Sequence, residues 1–241
     1  SRLVEEVHNG VTLGKITSLS IRENRYPFLT KIGDWNRFNE NTGGTLVEKC
    51  CHFFDLMCFI LQSEPVRVYG SGAQDLNHLD ESFDRRVPDI LDNAFVIVDF
   101  ASNQRAMLDL NMFADGSWYQ ESIVVIGSQA KVECQIPGPT RFWPKESLGE
   151  SPIPQLILSP REPKGPKTLT VPVDPKLLEA GDHNGSTFYQ HERFARVLRG
   201  EQSVEVSLQD GLKAVLIGLA AHRSIETGKA IDLTCGEYNI S

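Results

Sequence analysis

The segment Thr42–Leu61, TGGTLVEKCCHFFDLMCFIL, sets Glu48, His52 and Asp55 among apolar neighbours. At 100° per residue, these three side chains fall within an arc of about 60°. A carboxylate one turn from an imidazole can accept its hydrogen bond, fix its tautomer and raise its basicity. A general base or acid needs that arrangement. The same spacing suits a structural pair that ties a helix to a sheet, and the residues alone weigh the two readings evenly. A metal site built from Glu48, His52 and Asp55 is the weaker third reading. Two of the three are carboxylates, and no second histidine is placed beside them. Lys49 lies outside the arc and reads as a side chain snorkelling to water.

These groups meet only if the segment is helical. Asn41-Thr42-Gly43-Gly44 is a loop with two flexible glycines. About five turns without Gly or Pro follow it, apolar on most sides, which predicts a helix buried nearly all round. The loop Thr30–Asn41 leads straight into the glycines and holds Asp34-Trp35-Asn36-Arg37. Trp35 and Arg37 read either as substrate contacts or as parts of a surface loop plugged by the indole. His183 and His191 read as residues at helix ends, with His183 just before a helix start and able to face a pocket.

The rest of the chain supplies the scaffold. Ser1–His8 reads as the end of an amphipathic helix stopped by Asn9-Gly10. Strands are expected at Lys15–Arg25, Pro65–Tyr69, Ala94–Phe100, Arg105–Phe113, Glu121–Ile126, Ala130–Ile136, Leu156–Leu158, Thr168–Val173 and Ile231–Leu233. Gly181–Ser186 is a turn. Thr187–Arg199 is an amphipathic helix with Phe188, Phe194, Ala195 and Leu198 inward. Ser207-Leu208-Gln209-Asp210 is a capping box that opens a helix over Leu208–Thr227. The fold class is α+β: a large, mostly antiparallel, open-faced sheet with helices packed on one face.

Composition excludes several classes. The chain has 241 residues and a formal net charge of −8. With no basic stripe, a nucleic acid is not the expected partner. No apolar run is long enough to span a membrane. The five cysteines, with no C-x-x-C, read as reduced, buried thiols of a cytoplasmic protein. Gly70-Ser71-Gly72 imitates a dinucleotide loop, but no helix pattern follows it. Leu76–Asp92 is acidic and aperiodic, more simply a solvated loop than a metal site.

TGGTLVEKCCHFFDL resembles the G-G-G-x-x-x-D-x-G-x-H-x-x-D segment of the Gfo/Idh/MocA oxidoreductase family. The tail HNGSTFYQHERFARVLRG…SLQDGLKAVLIGLAAHRSIETGKAIDL continues the resemblance, which covers nearly the whole chain. Three positions depart from the motif: Glu48 replaces its Asp, Thr42 its first Gly, and Cys50 the Gly before the His. The resemblance implies that residues 13–241 form a substrate-binding and catalytic domain. Residues 1–12 would then end a connecting segment from the protein's own N-terminal Rossmann domain, which this chain does not include. It implies oxidation of a CH–OH group of a sugar, polyol or related compound, with NAD or NADP as cofactor bound mainly by that other domain. This chain alone would then be inactive. His52 would take the hydroxyl proton while hydride passes to the nicotinamide, and Glu48 would orient His52. Asp55 matches the motif's second acid and, with Trp35, Arg37 and His183 chosen by residue type and place in the chain, would contact substrate. Homo-oligomerisation through the sheet face is implied, and no metal. The competing class is a non-catalytic binding or oligomerisation module that keeps the fold.

Overall fold

The computed structural model describes residues 2–8, 13–180 and 183–239. The helix stop at Asn9-Gly10, the expected boundary between residues 12 and 13, and Gly181-Asp182 of the turn lie outside them. Nine strands make one sheet: β1 Ile16–Asn24, β2 Pro65–Ala73, β3 Asn93–Phe100, β4 Arg105–Asn111, β5 Glu121–Gly127, β6 Ala130–Ile136, β7 Gln155–Pro160, β8 Lys167–Thr170 and β9 Ile231–Asp232. Their order is β8-β7-β6-β5-β1-β4-β3-β2-β9. β1 runs parallel to β4 and antiparallel to β5, and the remaining pairs are antiparallel. The α+β class with an open sheet is therefore what the chain adopts.

The helices are α1 Arg2–His8, α2 Asn39–Thr42, α3 Thr45–Glu48, α4 Cys51–Leu61, α5 Lys145–Leu148, α6 Pro175–Ala180, α7 Ser186–Leu198 and α8 Leu208–Thr227. Side chains alternate across each strand. Ile21, Val68, Val96, Val98, Leu108, Val125 and Val132 point inward and are sealed from solvent. Phe53, Phe54 and Met57 of α4, and Ile217, Ala220 and Ala221 of α8, complete that core. Burying a side chain such as Phe54 stabilises by roughly 1.5–3 kcal/mol. Two glycines let the layers close. A Cβ on Gly70 would lie 2.8 Å from the Ala221 carbonyl oxygen, and one on Gly218 2.6 Å from that of Leu46. Ser207 and Asp210 form the expected capping box at the start of α8. On the opposite face Tyr69, Phe95, Ile97 and Ile126 are exposed.

Four expectations are corrected. The long helix is broken: α3 ends at Glu48, and α4 starts at Cys51. Lys49 Nζ reaches the fully buried Glu23 carboxylate at 3.0 Å, and Cys50 is buried while its carbonyl accepts the N–H groups of Phe53 and Phe54. Pairing a buried charge outweighs the few backbone bonds lost at the break. Gly70-Ser71-Gly72 lies inside β2, which runs on to Ala73. α7 has no buried residue; Phe188, Phe194 and Leu198 are exposed rather than inward. Its main packing contacts are made to the turn before it, so among the described residues its apolar stripe is left largely uncovered. Of the five cysteines only Cys50 is buried, and Cys235 is exposed.

Candidate functional site

α4 presents His52 from its first turn, immediately after the break. The segment is fixed by Gly43 and Gly44, both with positive φ, where glycine carries no steric penalty. A Cβ on Gly44 would lie 2.3 Å from His222 Nε2. His222 sits there because its Nε2 accepts the Leu46 backbone N–H at 3.2 Å. The α3–α4 segment is thus pinned to α8.

The His52 ring packs on Phe53, with centroids 4.0 Å apart. Its pKa is lowered to about 3, first by loss of solvation and then by the cations Lys49 and Arg25 and by His183. His52 keeps an exposed edge, so solvent offsets part of the first cause. The direction is fixed by the neighbours, each a cation or able to become one, and the imidazole is neutral at ordinary pH. A neutral ring has a lone pair with which to accept a proton.

Glu48 does not face His52. It pairs with Lys31 at 3.1 Å, and its Oε2 has no hydrogen-bond partner. Lys31 also lies 4.9 Å from the centroid of the half-open Trp35 ring. Trp35, Lys31 and Glu48 therefore form one rim. Arg37 is 3% exposed and paired with Glu81 at 2.7 Å, while Glu81 also meets His78 at 2.8 Å. The Arg37 guanidinium is thereby engaged inside the loop rather than presented to a ligand. Asp55 turns toward the start of α8; burial raises its pKa, and Asp210 adds to the effect. His183 is exposed, in a left-handed conformation, and near enough to act on His52. The structure thus sets His183 near enough to act on His52, pairs Glu48 with Lys31 and Arg37 with Glu81, and turns Asp55 toward the like-charged Asp210.

Sequence reasoning missed a buried charge cluster behind His52. Glu23 of β1 is sealed, bound to Lys49 and 3.8 Å from Arg25 Nη1. Its Oε1 accepts from Gln120 Nε2 at 3.3 Å, and its Oε2 is unpartnered. Glu121 of β5 stands directly opposite Glu23. Burial first, then Glu23, pushes the Glu121 pKa up to about 7. The signal was present: Leu19-Ile21-Glu23 and Glu121-Ile123-Val125 alternate, and period two puts both glutamates on the core face.

Among the described residues no group of three or more His, Cys, Asp or Glu could hold a metal ion. No described helix is long and apolar enough to cross a membrane.

A family model described as "Oxidoreductase family, C-terminal alpha/beta domain" matches residues 4–233. No curated protein matches the chain. Solved structures share the fold. An oxidoreductase domain protein from Kribbella flavida is 15% identical with a TM-score of 0.69, covering 96% of this chain and 63% of its own. An aldose-aldose oxidoreductase from Caulobacter crescentus, complexed with glycerol, is 16% identical at 0.64, covering 95% and 59%. GenD2 from gentamicin A biosynthesis, in complex with NAD, is 17% identical at 0.68, covering 97% and 60%. The chain therefore spans about three fifths of the length of these relatives.

Proposed function

The chain belongs to the Gfo/Idh/MocA oxidoreductase family as its C-terminal α/β domain, and from that premise we propose that it is the substrate-binding and catalytic part of an NAD(P)-dependent dehydrogenase. Its substrate is a sugar, polyol or related compound oxidised at a CH–OH group. The observation that carries this reading is a neutral, accessible His52 at the motif's histidine position, with cations around it. His52 accepts the hydroxyl proton of the substrate. His183 and Trp35 border the bound compound. Glu48 acts on the rim, holding Lys31 and through it Trp35, rather than on the imidazole. Arg37, a contact residue by type, instead braces the loop through Glu81, and Asp55, the motif's second acid, turns toward Asp210 at the start of α8.

The residues of this chain do not fit the phosphates of a nicotinamide dinucleotide. A pyrophosphate site needs glycines between a strand and a helix N-terminus, and here Gly70 and Gly72 sit within β2 against α8 and β3. Cofactor binding falls in this reading to a Rossmann domain joined at residues 1–12. We expect calorimetric titration of the 241-residue chain with NADH or NADPH to show no micromolar binding and the chain alone to be inactive; micromolar binding overturns this division of labour. The direct test joins the chain to its nucleotide-binding part and follows nicotinamide reduction with sugars and polyols. Turnover that survives His52→Asn sinks the catalytic reading.

The open sheet face pairs, in this reading, with a second copy. Tyr69, Ile97 and Met107 lie side by side across β2, β3 and β4, an apolar row of the kind rarely left bare on a monomer. Light scattering should show an oligomer that Ile97→Glu dissociates. One observation favours the non-catalytic module instead: the motif's acid, Glu48, is spent on Lys31. A chain joined to an intact nucleotide-binding part that turns nothing over would establish that second reading.

A further inference from the structure

We propose that the open sheet face carries a second, non-catalytic site for a neutral monosaccharide or cyclic polyol, in the recess between Arg22, Ser122, Gln135 and the indole of Trp118. The inference stands apart from the functional reading above. The recess has a volume of about 250 Å³. Sites for drug-sized ligands begin at roughly 300 Å³, so this one takes a single small ring. Its floor follows from strand register. Arg22, Ser122 and Gln135 stand in one row across β1, β5 and β6. Their sequence neighbours Ile21 and Ile123 are buried, so alternation turns the row outward. α4 packs Phe53 and Phe54 into the core with Ile21, on the inner face of the sheet, and the recess is therefore separate from His52. Arg22 stands opposite Asp109, two positions beyond Met107, so the recess lies beside the apolar row of the sheet rather than on it.

The wall comes from the segment before β5. The Asn24 backbone N–H donates to the Gln120 carbonyl at 2.7 Å, which ties that segment to the end of β1. Trp118 is 57% exposed and yet held. Its ring lies 5.3 Å from that of Trp143, tilted by 45°, and Trp143 Nε1 donates to the Gly149 carbonyl at 2.9 Å. A half-open indole fixed beside a polar floor offers one apolar face to a ligand.

The chemistry of the lining selects the ligand. Ligand sites are ordinarily lined mostly by apolar side chains. Here Trp118 is joined by the amides of Asn24, Gln120 and Gln135 and the hydroxyls of Ser117, Tyr119 and Ser122. Amides and hydroxyls both donate and accept, as each hydroxyl of a sugar does. Gln135 is oriented by its bond to Ser122 Oγ at 3.0 Å, and Gln120 by its bond to Glu23 at 3.3 Å. Among the described residues the Asn24 amide and the Tyr119 hydroxyl have no hydrogen-bond partner. The one charged residue of the lining, Arg22, is bound to Asp109 at 2.6 Å. The recess is thus neutral in a chain of net charge −8, and it favours neither an anion nor a cation. A sugar ring matches both features, with hydroxyls round its rim and C–H groups on its face.

The test follows the indole N–H resonances of the three tryptophans in the full-length protein as myo-inositol or D-glucose is added. A neutral ligand of this size should bind with a Kd of about 1 mM, and the Trp118 signal should shift saturably. Trp35, on the rim near Glu48, reports the proposed active site separately, so failure of the functional reading leaves the Trp118 titration standing. Asn24→Ala removes a side chain that holds nothing else in the fold and should weaken binding by about three- to ten-fold. D-Gluconate and D-glucosamine should bind no tighter than D-glucose. The proposal is overturned if neither compound moves Trp118 saturably in the unaltered protein, a measurement that needs no variant to fold. It is overturned too if Asn24→Ala, with an unchanged melting curve, titrates like the parent. A shift seen only in Ile97→Glu would show that a second copy fills the recess, and tighter binding of either charged sugar would refute the neutral class.

Discussion

Glu48 and His52 lie one helical turn apart in sequence and end in unlike surroundings. Glu48 closes α3, pairs with Lys31 and faces the Trp35 rim. His52 opens α4, packs on Phe53 and is faced by cations. Between them Lys49 turns inward to Glu23, and the helix breaks there. Spacing of i, i+4 brings two side chains together only while the helix is continuous. Here a buried acid on a neighbouring strand decides otherwise, because leaving Glu23 unpaired costs more than a helix break. One side of the break is an ion pair with a half-exposed lysine, and the other is an imidazole kept neutral by burial and nearby cations.

The largest expected effect lies on the His52 side. In the protein joined to its nucleotide-binding part, His52→Asn should lower kcat per folded molecule by roughly 100- to 10,000-fold, with little change in Tm. A loss that merely follows the folded fraction would make His52 structural.

Next comes the break itself. Lys49→Met leaves the sealed Glu23 charge with only the more distant Arg25, 3.8 Å away, and losing the close partner costs up to roughly 3–5 kcal/mol. Urea denaturation should read that loss, and adding Glu23→Gln should recover most of it. If Lys49→Met is as stable as the parent, Arg25 alone suffices for Glu23 and the explanation of the break fails.

The pH dependence separates the two sides more finely. His52 and His222 both have pKa values below the ordinary 6.5, chiefly through burial. In the unfolded chain they titrate near 6.5. Above that pH both states are neutral and stability is full; as pH falls below about 6.5 the unfolded state takes up protons first, and stability drops. Glu121, whose folded pKa is raised to about 7, works the other way over the same range, so the histidine contribution is read as a difference: from about pH 7 to about pH 5, Tm should fall further in the parent than in His222→Gln. The basic form of His52 persists to lower pH than a free histidine would, so the acid limb of kcat/KM should lie below 6.5. Glu23→Gln/Lys49→Met removes the first cation acting on His52 and should move that limb upward. A limb at or above 6.5 in the parent protein would contradict the lowering of the His52 pKa.

The smallest effect belongs to Glu48. Its pair with the half-exposed Lys31 is worth about 1 kcal/mol or less, and it makes no contact through which to orient His52. Glu48→Gln should cost less than ten-fold in kcat and shift KM more than kcat. A penalty as large as that of His52→Asn would mean that the two act as a unit and that the contrast between the sides is false.

The strands and α8 were legible because their signals are local. Alternation marks β1 and β3 to β6, and the Ser207–Asp210 capping box fixes the start of α8. The stripe on α7 was equally legible as a pattern, but periodicity gives a helix its apolar face without saying what covers it. Arg37 read as a contact residue by type; its burial against Glu81 depends on a loop more than forty positions away in sequence.

By itself the sequence determined the α+β layers, the hairpins, the capping box of α8 and the presence of His52 on an apolar helical segment, since these follow from periodicity and turn chemistry over a few residues. The tertiary structure alone decided which charges meet. Glu23 and Glu121 are ninety-eight positions apart in sequence and stand opposite in the ladder between β1 and β5, and Lys49 arrives from a third element to neutralise one of them. Electrostatic partners are set by distance through a low-dielectric interior, where a few ångströms and one burial event outweigh any spacing along the chain. That is why Glu48 faces Lys31, and why Arg25, inconspicuous in the sequence, ends 3.8 Å from the buried Glu23 carboxylate.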